Sequence, residues 1–409
     1  MTRLSDEAAL IDLAEKILVY YKRVGDQQPA AAVTLMIVEH LYYKHDSHAA
    51  AVHKAHLFNS KWGQYQDLHP ASLGKIVATT ENDATKTHPA SYLGNPTVAA
   101  SVYSAEKKMD DFCNFIFKYG DERNKTRALL CGVYHHALHD RYYQARDMFL
   151  ISHIQDFIEK AEVKTQILYN RAVVTLGLSA FRMGLFQKAH DCLSNICTGR
   201  VRELLAQGQM KWAEKDPEQE KLERRRQMPY HMHINPDLLE CCHLTCAMIL
   251  ELPQLARHSI FQQNIISRHF RKHLHGYSKQ VNTRYTRYTI CTLYTRYTQY
   301  TLYTPYTLNT PYTHYTQVFT GPPENTREHV LAATKALLGG DWQRACKYIL
   351  ELDVWNYIPN EGGEKVKEML RLRIKEEAVR TYLLTNADHY DSMDLSHVCS
   401  MFDMEVGGS

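Results

Sequence analysis

Between residues 231 and 246 the chain gathers His231, His233, Cys241, Cys242, His243 and Cys246, side chains of the types that ligate zinc. A zinc site needs these groups to converge, and its strong signal is a C-x2-C or C-x3-C pair with a second pair at suitable spacing. Cys242 and Cys246 stand four apart, on one face of a helix, but inside the continuous apolar run LLECCHLTCAMILEL. That context favours thiols packed in a core. The enzymatic reading with the best start is a zinc isopeptidase, whose H-x-H is followed after seven residues by Ser and, after two more, by Asp. Behind His231-Met232-His233 those positions hold Cys241 and Leu244, and a leucine in place of the Asp cannot ligate a metal, so the motif fails on chemistry. A second group, His135, His136 and His139, contains an H-x-x-H spacing without the Glu that serves as general base in H-E-x-x-H sites. Packing or polar contacts between helices suit these imidazoles better. The chain has no G-x-x-x-x-G-K-[ST] phosphate loop and no G-x-S-x-G nucleophile elbow. No enzymatic activity is expected, and no catalytic, cofactor-binding or metal residue is assigned.

The sharpest charge cluster is Arg224, Arg225 and Arg226, preceded by Lys221 and Glu223. On a helix, three consecutive residues spread over about 200°, so they cannot all face one ligand. Two readings stand: a solvated helix end paired with the preceding glutamates, or a contact to RNA phosphates or an acidic partner. Over the whole chain 48 Lys plus Arg oppose 45 Asp plus Glu, so no large basic field marks a general nucleic-acid binder.

The elements that position these groups are helical. At 409 residues and 44% hydrophobic content the chain can bury a substantial core, in two or three domains or in one repeat array. No run of about 18 apolar residues appears and MTRLSDEAAL lacks a signal-peptide core, so a cytoplasmic home is expected. The ten cysteines lie mostly in helix-like apolar runs, without the spacing of a secreted disulfide framework. Residues 5 to about 45 read as helical, with a stripe of Leu10, Leu13, Ile17 and Tyr20 and a second helix over about 30–43. Tyr143, Leu150, Ile154, Phe157, Ile158 and Ala161 read as one broad helical face, and Tyr169, Val173, Leu176 and Ala180 as the next. Further helices are expected at 238–252, 327–338, 342–352, 364–384 and 394–402, with Pro229 interrupting the charged helix before them.

A five-residue spacing links the apolar runs: Asp140 to Ala145, Gly184 to Ala189 and Gly340 to Ala345. A turn residue closes one run and an alanine sits early in the next, where a small side chain lets two helices approach. The first two copies lie 44 residues apart, near the period of the larger helix-pair repeats. Segment 285–316 differs in kind, with Thr at every third residue, preceded by Tyr except at Cys291 and Asn309. Period three gives neither a helical nor a strand face, so this tract is low complexity rather than core.

YHHALHDRYYQARDMFLISHIQD (134–156), QILYNRAVVTLGLSAFRMGL (166–185), QEKLERRRQMPYHMHINPDLLE (219–240) and GPPENTREHVLAATKALLGGDW (321–342) closely resemble, in order, blocks of the C subunit of eukaryotic translation initiation factor 3. The resemblance covers roughly 101–403 apart from the triplet tract, and reaches residues 1–100 weakly, through EHLYYKHD. It implies an all-α fold: a right-handed helical-repeat superhelix, TPR-like and of PCI type, ending in an incomplete winged helix. The organisation expected is N-terminal helices (1–43), a loop or linker (44–100) that is a candidate for disorder, the first PCI helical repeats (101–276), a disordered Tyr-Thr insert (277–317), continued repeats (318–374) and a truncated winged helix (375–409). Over KEEAVRTYLLTNADHYDSMDLSHVCSMFDM the chain resembles the first two helices of that winged helix, and the third helix and the β wing are expected to be missing, as is the family's long N-terminal region.

The function implied is that of a noncatalytic scaffold in translation initiation. The partners implied are other initiation factor 3 subunits, especially the A subunit and other PCI subunits, and the small ribosomal subunit with its RNA. Other initiation factors would be reached through the missing N-terminal region, and no membrane is expected. Lys221, Arg224, Arg225 and Arg226 are the candidate RNA or partner contacts. Asp140, Ala145, Gly184, Ala189, Gly340 and Ala345 are the candidate helix-packing residues. A PCI scaffold of the proteasome lid or the COP9 signalosome is the alternative, disfavoured by the GPPE…REHV and ERRRQ-x-P-x-H-x-H blocks. A zinc-dependent hydrolase is a third reading, since metalloprotease subunits accompany PCI subunits in related assemblies.

Overall fold

The computed structural model describes residues 7–46, 105–197, 200–208, 217–256, 265–276, 323–358, 362–387, 389–390 and 392–404. Every regular element among them is helical. The expected triplet insert lies outside the described residues, as does the expected linker apart from 44–46. The chain divides into two compact units, residues 1–183 with 200–234, and residues 184–199 with 235–409.

The first unit holds α1 (Glu7–Val24), α2 (Gln27–Leu41), α3 (Ala105–Tyr119), α4 (Glu122–Leu138), α5 (Tyr142–Ile151) and α6 (Val163–Arg182). The short α8 (Val201–Leu204) and the charged α9 (Pro217–Arg226) complete it. α4 is its centre and touches α2, α3, α5 and α6. Its sequence explains the position: after the polar opening ERNKTR, Ala128, Leu130, Cys131, Val133 and Ala137 are all fully buried, so this part of the helix is covered on most sides rather than along one stripe.

Two sequence expectations change here. On α1 the face that meets α2 carries Ala14 and Leu18, each 5% exposed, whereas Leu13 is 58% and Tyr20 62% exposed and Ile17 also faces solvent. The small side chain of Ala14 lets the helices close on that side, so packing overrides the larger residues of the expected stripe. The expected continuous face from Tyr143 to Ala161 is broken as well. α5 stops at Ile151, His153 takes a left-handed conformation (φ 48°), and two 3-10 turns follow at Ile154–Asp156 and Ile158–Lys160. The buried residues of this stretch are Tyr142, Ala145, Phe149 and Ile154, while Tyr143, Leu150 and Phe157 are exposed.

The second unit is built on α10 (Pro236–Ala256), which packs against α7 (Phe186–Cys197), α12 (Thr326–Leu338) and α14 (Gly362–Thr385). A helix spans 268–276 (α11), α13 (Trp342–Leu350) pairs with α12, and α15 (Leu395–Met401) follows α14. By length and hydropathy α10 could cross a bilayer, but most of it is buried within the protein, as a core helix is. Trp355 anchors the turn after α13. It is fully buried, and its indole Nε1 donates to the Ile349 carbonyl at 2.8 Å.

The turn-to-alanine copies share one local geometry. Asp140 (φ 61°), Gly184 (φ 76°) and Gly340 (φ 83°) are all left-handed, and Ala145, Ala189 and Ala345 are all fully buried. After the first and third turn residues the chain makes the same closing bond, Arg141 N to His136 O (3.0 Å) and Asp341 N to Ala336 O (2.9 Å), the signature of a Schellman end. Each following helix opens on an aromatic residue two positions after the turn, namely Tyr142, Phe186 and Trp342. The repeated unit is therefore a left-handed stop, an aromatic start and a buried alanine one turn on.

Candidate functional site

The side chains of Lys221, Arg224, Arg225 and Arg226 are exposed at the C-terminal half of α9. Cations are favoured there by the partial negative charge of the last carbonyls. Beyond the helix the chain runs back over the unit through Gln227 to Ile234. It is pinned by Met228 N donating to Ala206 O (2.8 Å), by the His233 ring donating from Nε2 to Met228 O (2.8 Å), and by Arg171 Nη2 donating to Met232 O (2.7 Å).

Under this strap lies a cavity of about 300 Å³. Arg225 and Arg226 line it from α9, Arg127 from α4, and Lys164 and Arg171 from α6, against a single acidic side chain, Glu39. Glu39 is already matched to Arg127 at 2.6 Å. Arg171 is fully buried, and its Nε and Nη1 have no acceptor in hydrogen-bonding geometry. Its guanidinium lies 5.7 Å from the Tyr134 ring, and Tyr42 packs edge-on to Tyr134 at 5.0 Å. Burial raises the Tyr42 phenol far above its usual value, outweighing the nearby Arg171, so it stays a neutral donor. A positive, aromatic-walled recess of this size suits a phosphate or carboxylate group of a larger partner. Sequence reasoning found Arg225 and Arg226 but missed Arg127, Lys164 and Arg171, which lie dispersed on other helices.

The histidines of α4 meet a residue that no sequence motif connects to them. His135 Nε2 and His139 Nε2 lie 3.3 Å and 3.2 Å from Asp46 Oδ1, just beyond α2. The imidazoles that converge are thus the i, i+4 pair, while His136 lies 3.9 Å from Asp110. Burial alone would raise the Asp46 carboxyl. The two imidazoles outweigh it and hold the group well below the usual carboxylate range.

The 231–246 cluster is divided between the units: His231 and His233 belong to the first and Cys241, Cys242, His243 and Cys246 to the second. Cys241, Cys242 and Cys246 are buried and in no disulfide, and burial pushes the Cys241 thiol up to about 12, leaving it protonated at neutral pH.

The family described as "Eukaryotic translation initiation factor 3 subunit 8 N-terminus" matches residues 1–261. The chain belongs to this family. It is 36% identical over 98% of its length to the protein named as the C subunit of eukaryotic translation initiation factor 3 in Pyricularia oryzae, and likewise to its counterpart in Botryotinia fuckeliana. To the Aspergillus fumigatus protein of the same name it is 40% identical over 81% of its length. These alignments cover 40%, 40% and 34% of the respective relatives, so the chain spans well under half of the proteins it matches. The match also corrects the sequence reading at one end: likeness to the initiation-factor family extends through the first hundred residues, where EHLYYKHD alone carries a visible resemblance.

Proposed function

We propose that this chain works, as a segment of a longer C subunit, as a noncatalytic scaffold of translation initiation factor 3 in the cytoplasm. It would hold other subunits, the A subunit and the PCI subunits among them, and help seat the complex on the small ribosomal subunit. The observation that carries this reading is 36% identity across 98% of the chain to proteins named as that C subunit. Within the units, the helix pairs joined at Asp140 (α4 with α5) and at Gly340 (α12 with α13) support it, since helix-pair repeats offer surfaces for partners rather than a reaction centre. We take Asp140, Gly184 and Gly340 with Ala145, Ala189 and Ala345 as the residues that set the helix-to-helix approach. α14 and α15 would correspond to the first two helices of a winged helix closing a right-handed array.

The recess under the 227–234 strap would accept a backbone phosphate of ribosomal RNA, with Arg225 and Arg226 at its mouth and Lys221 and Arg224 as outer contacts. Purifying the tagged chain from cells tests the proposal. Other initiation factor 3 subunits and proteins of the small ribosomal subunit should co-purify, and their absence would overturn it. The Arg225→Glu, Arg226→Glu double variant should bind small ribosomal subunits severalfold more weakly and with a shallower salt dependence.

A further inference from the structure

At the C-terminal end of α4, three atoms of metal-ligating type face one another. His139 Nδ1 lies 2.8 Å from the His135 carbonyl, a contact that requires the proton on Nδ1, so Nε2 carries the lone pair. The Asp46 backbone N–H donates to that same Nε2 at 3.1 Å, which agrees with this tautomer. Yet Nε2 also stands 3.2 Å from Asp46 Oδ1, a buried carboxylate oxygen with no hydrogen-bond donor in line. A lone pair held against a carboxylate oxygen is repulsive unless a positive charge lies between them. His135, 2% exposed, brings a third atom, its Nε2, to 3.3 Å from the same oxygen. The three ligand atoms all lie within 4.8 Å of one another.

We propose that Asp46, His135 and His139 bind one divalent ion of the zinc class. Zinc ligated by nitrogen and oxygen at about 2.0–2.1 Å in a tetrahedron sets its ligands about 3.3 Å apart, and the two observed separations from Asp46 Oδ1 match that edge. Two histidines at i, i+4 on one helical face are a zinc-binding spacing. The His135 carbonyl supplies the outer contact that metal-bound imidazoles characteristically make through their second nitrogen. The fourth corner falls to water or to His45, whose ring is 4.4 Å from that of His139. Binding exchanges the Asp46 N–H contact for the metal. Among nearby charged groups Arg141 opposes the ion and Asp140 favours it. The ion would clip the end of α2 to the end of α4 across a long stretch of chain, a structural rather than catalytic role.

The test titrates the purified full chain, stripped with chelator under reducing conditions, with Zn²⁺ and with Co²⁺ as its spectroscopic stand-in. The expected result is one equivalent bound, with visible tetrahedral cobalt bands, no thiolate-to-cobalt charge-transfer band, and a higher melting temperature with zinc. His139→Gln and Asp46→Asn should each weaken binding at least tenfold, and His136→Gln should leave it unchanged. Absence of binding in the native chain, or a thiolate band showing that cysteines hold the ion, overturns the proposal whether or not the variants fold. So does undiminished affinity in a folded His139→Gln protein.

Discussion

Each unit buries a group of imidazoles where helices meet, and the two groups behave differently because only one touches a carboxylate closely. In the first unit His135 and His139 share Asp46 at 3.2–3.3 Å. In the second, the His243 ring stacks on His190 at 5.1 Å with an interplanar angle of 16°, and neither of its nitrogens has a hydrogen-bond partner. Burial, then the neighbouring His190 and His269, push His243 down to about 3. Burial lowers His135 too, but Asp46 pulls the other way. The second unit does own a buried carboxylate, Glu251, but spends it on Arg271 and on the backbone N–H groups of Ile266 and Ser267. A buried histidine is thus a polar anchor or a neutral filler according to where the nearest carboxylate is committed.

The largest expected effect comes from removing that committed carboxylate. Glu251→Ala takes the buried carboxylate away from Arg271 and from two backbone donors, and should cost about 3–5 kcal/mol of stability in urea denaturation. Next is acid. Because the His243 pKa in the folded protein is below its unfolded value, its neutral form contributes stability fully above pH 6.5. That contribution is lost at roughly 1.4 kcal/mol per pH unit as pH falls from 6.5 toward 3. His243→Leu should flatten this part of the profile, and an unchanged slope would refute the assignment. Asp46→Asn, measured with chelator present, sharpens the contrast. Without its counter-charge His135 becomes harder to protonate, so stability should fall more steeply below pH 6.5. The smallest effect is at the shared turn. Gly340→Ala places a Cβ in open space at φ 83°, so only backbone strain is felt, about 1 kcal/mol by thermal melting.

Helix positions were largely legible because the second unit alternates long apolar runs with turn residues. The expected 238–252, 327–338 and 364–384 appear as α10, α12 and α14, each longer by a residue or a few. Failures fall where side-chain pattern is a poor guide to geometry. Nothing in SHIQD announces that His153 will turn left-handed and end α5, since neither Gly nor Pro marks it. On α1 the largest residues suggested the core, but the small Ala14 decided the contact. The candidate metal site was hidden by distance along the chain. Asp46 precedes His135 by most of a hundred residues, and the H-x-x-H spacing drew attention to His136 rather than to the i, i+4 partner. His231 and Cys241, by contrast, are close in sequence and fall in different units.

α10 has a consequence for how the protein is made. Two of its packing partners, α12 and α14, begin about 70 and 106 residues after it ends. At roughly 5–20 residues per second of synthesis, the ribosome needs several seconds or more to deliver them. Throughout that interval a helix apolar enough to pass for a membrane span lacks its α12 and α14 cover and has α7 and the 265–276 segment beside it. The nascent chain therefore exposes its most adhesive surface early, and chaperone demand should peak while the segment between α10 and α12 is being translated.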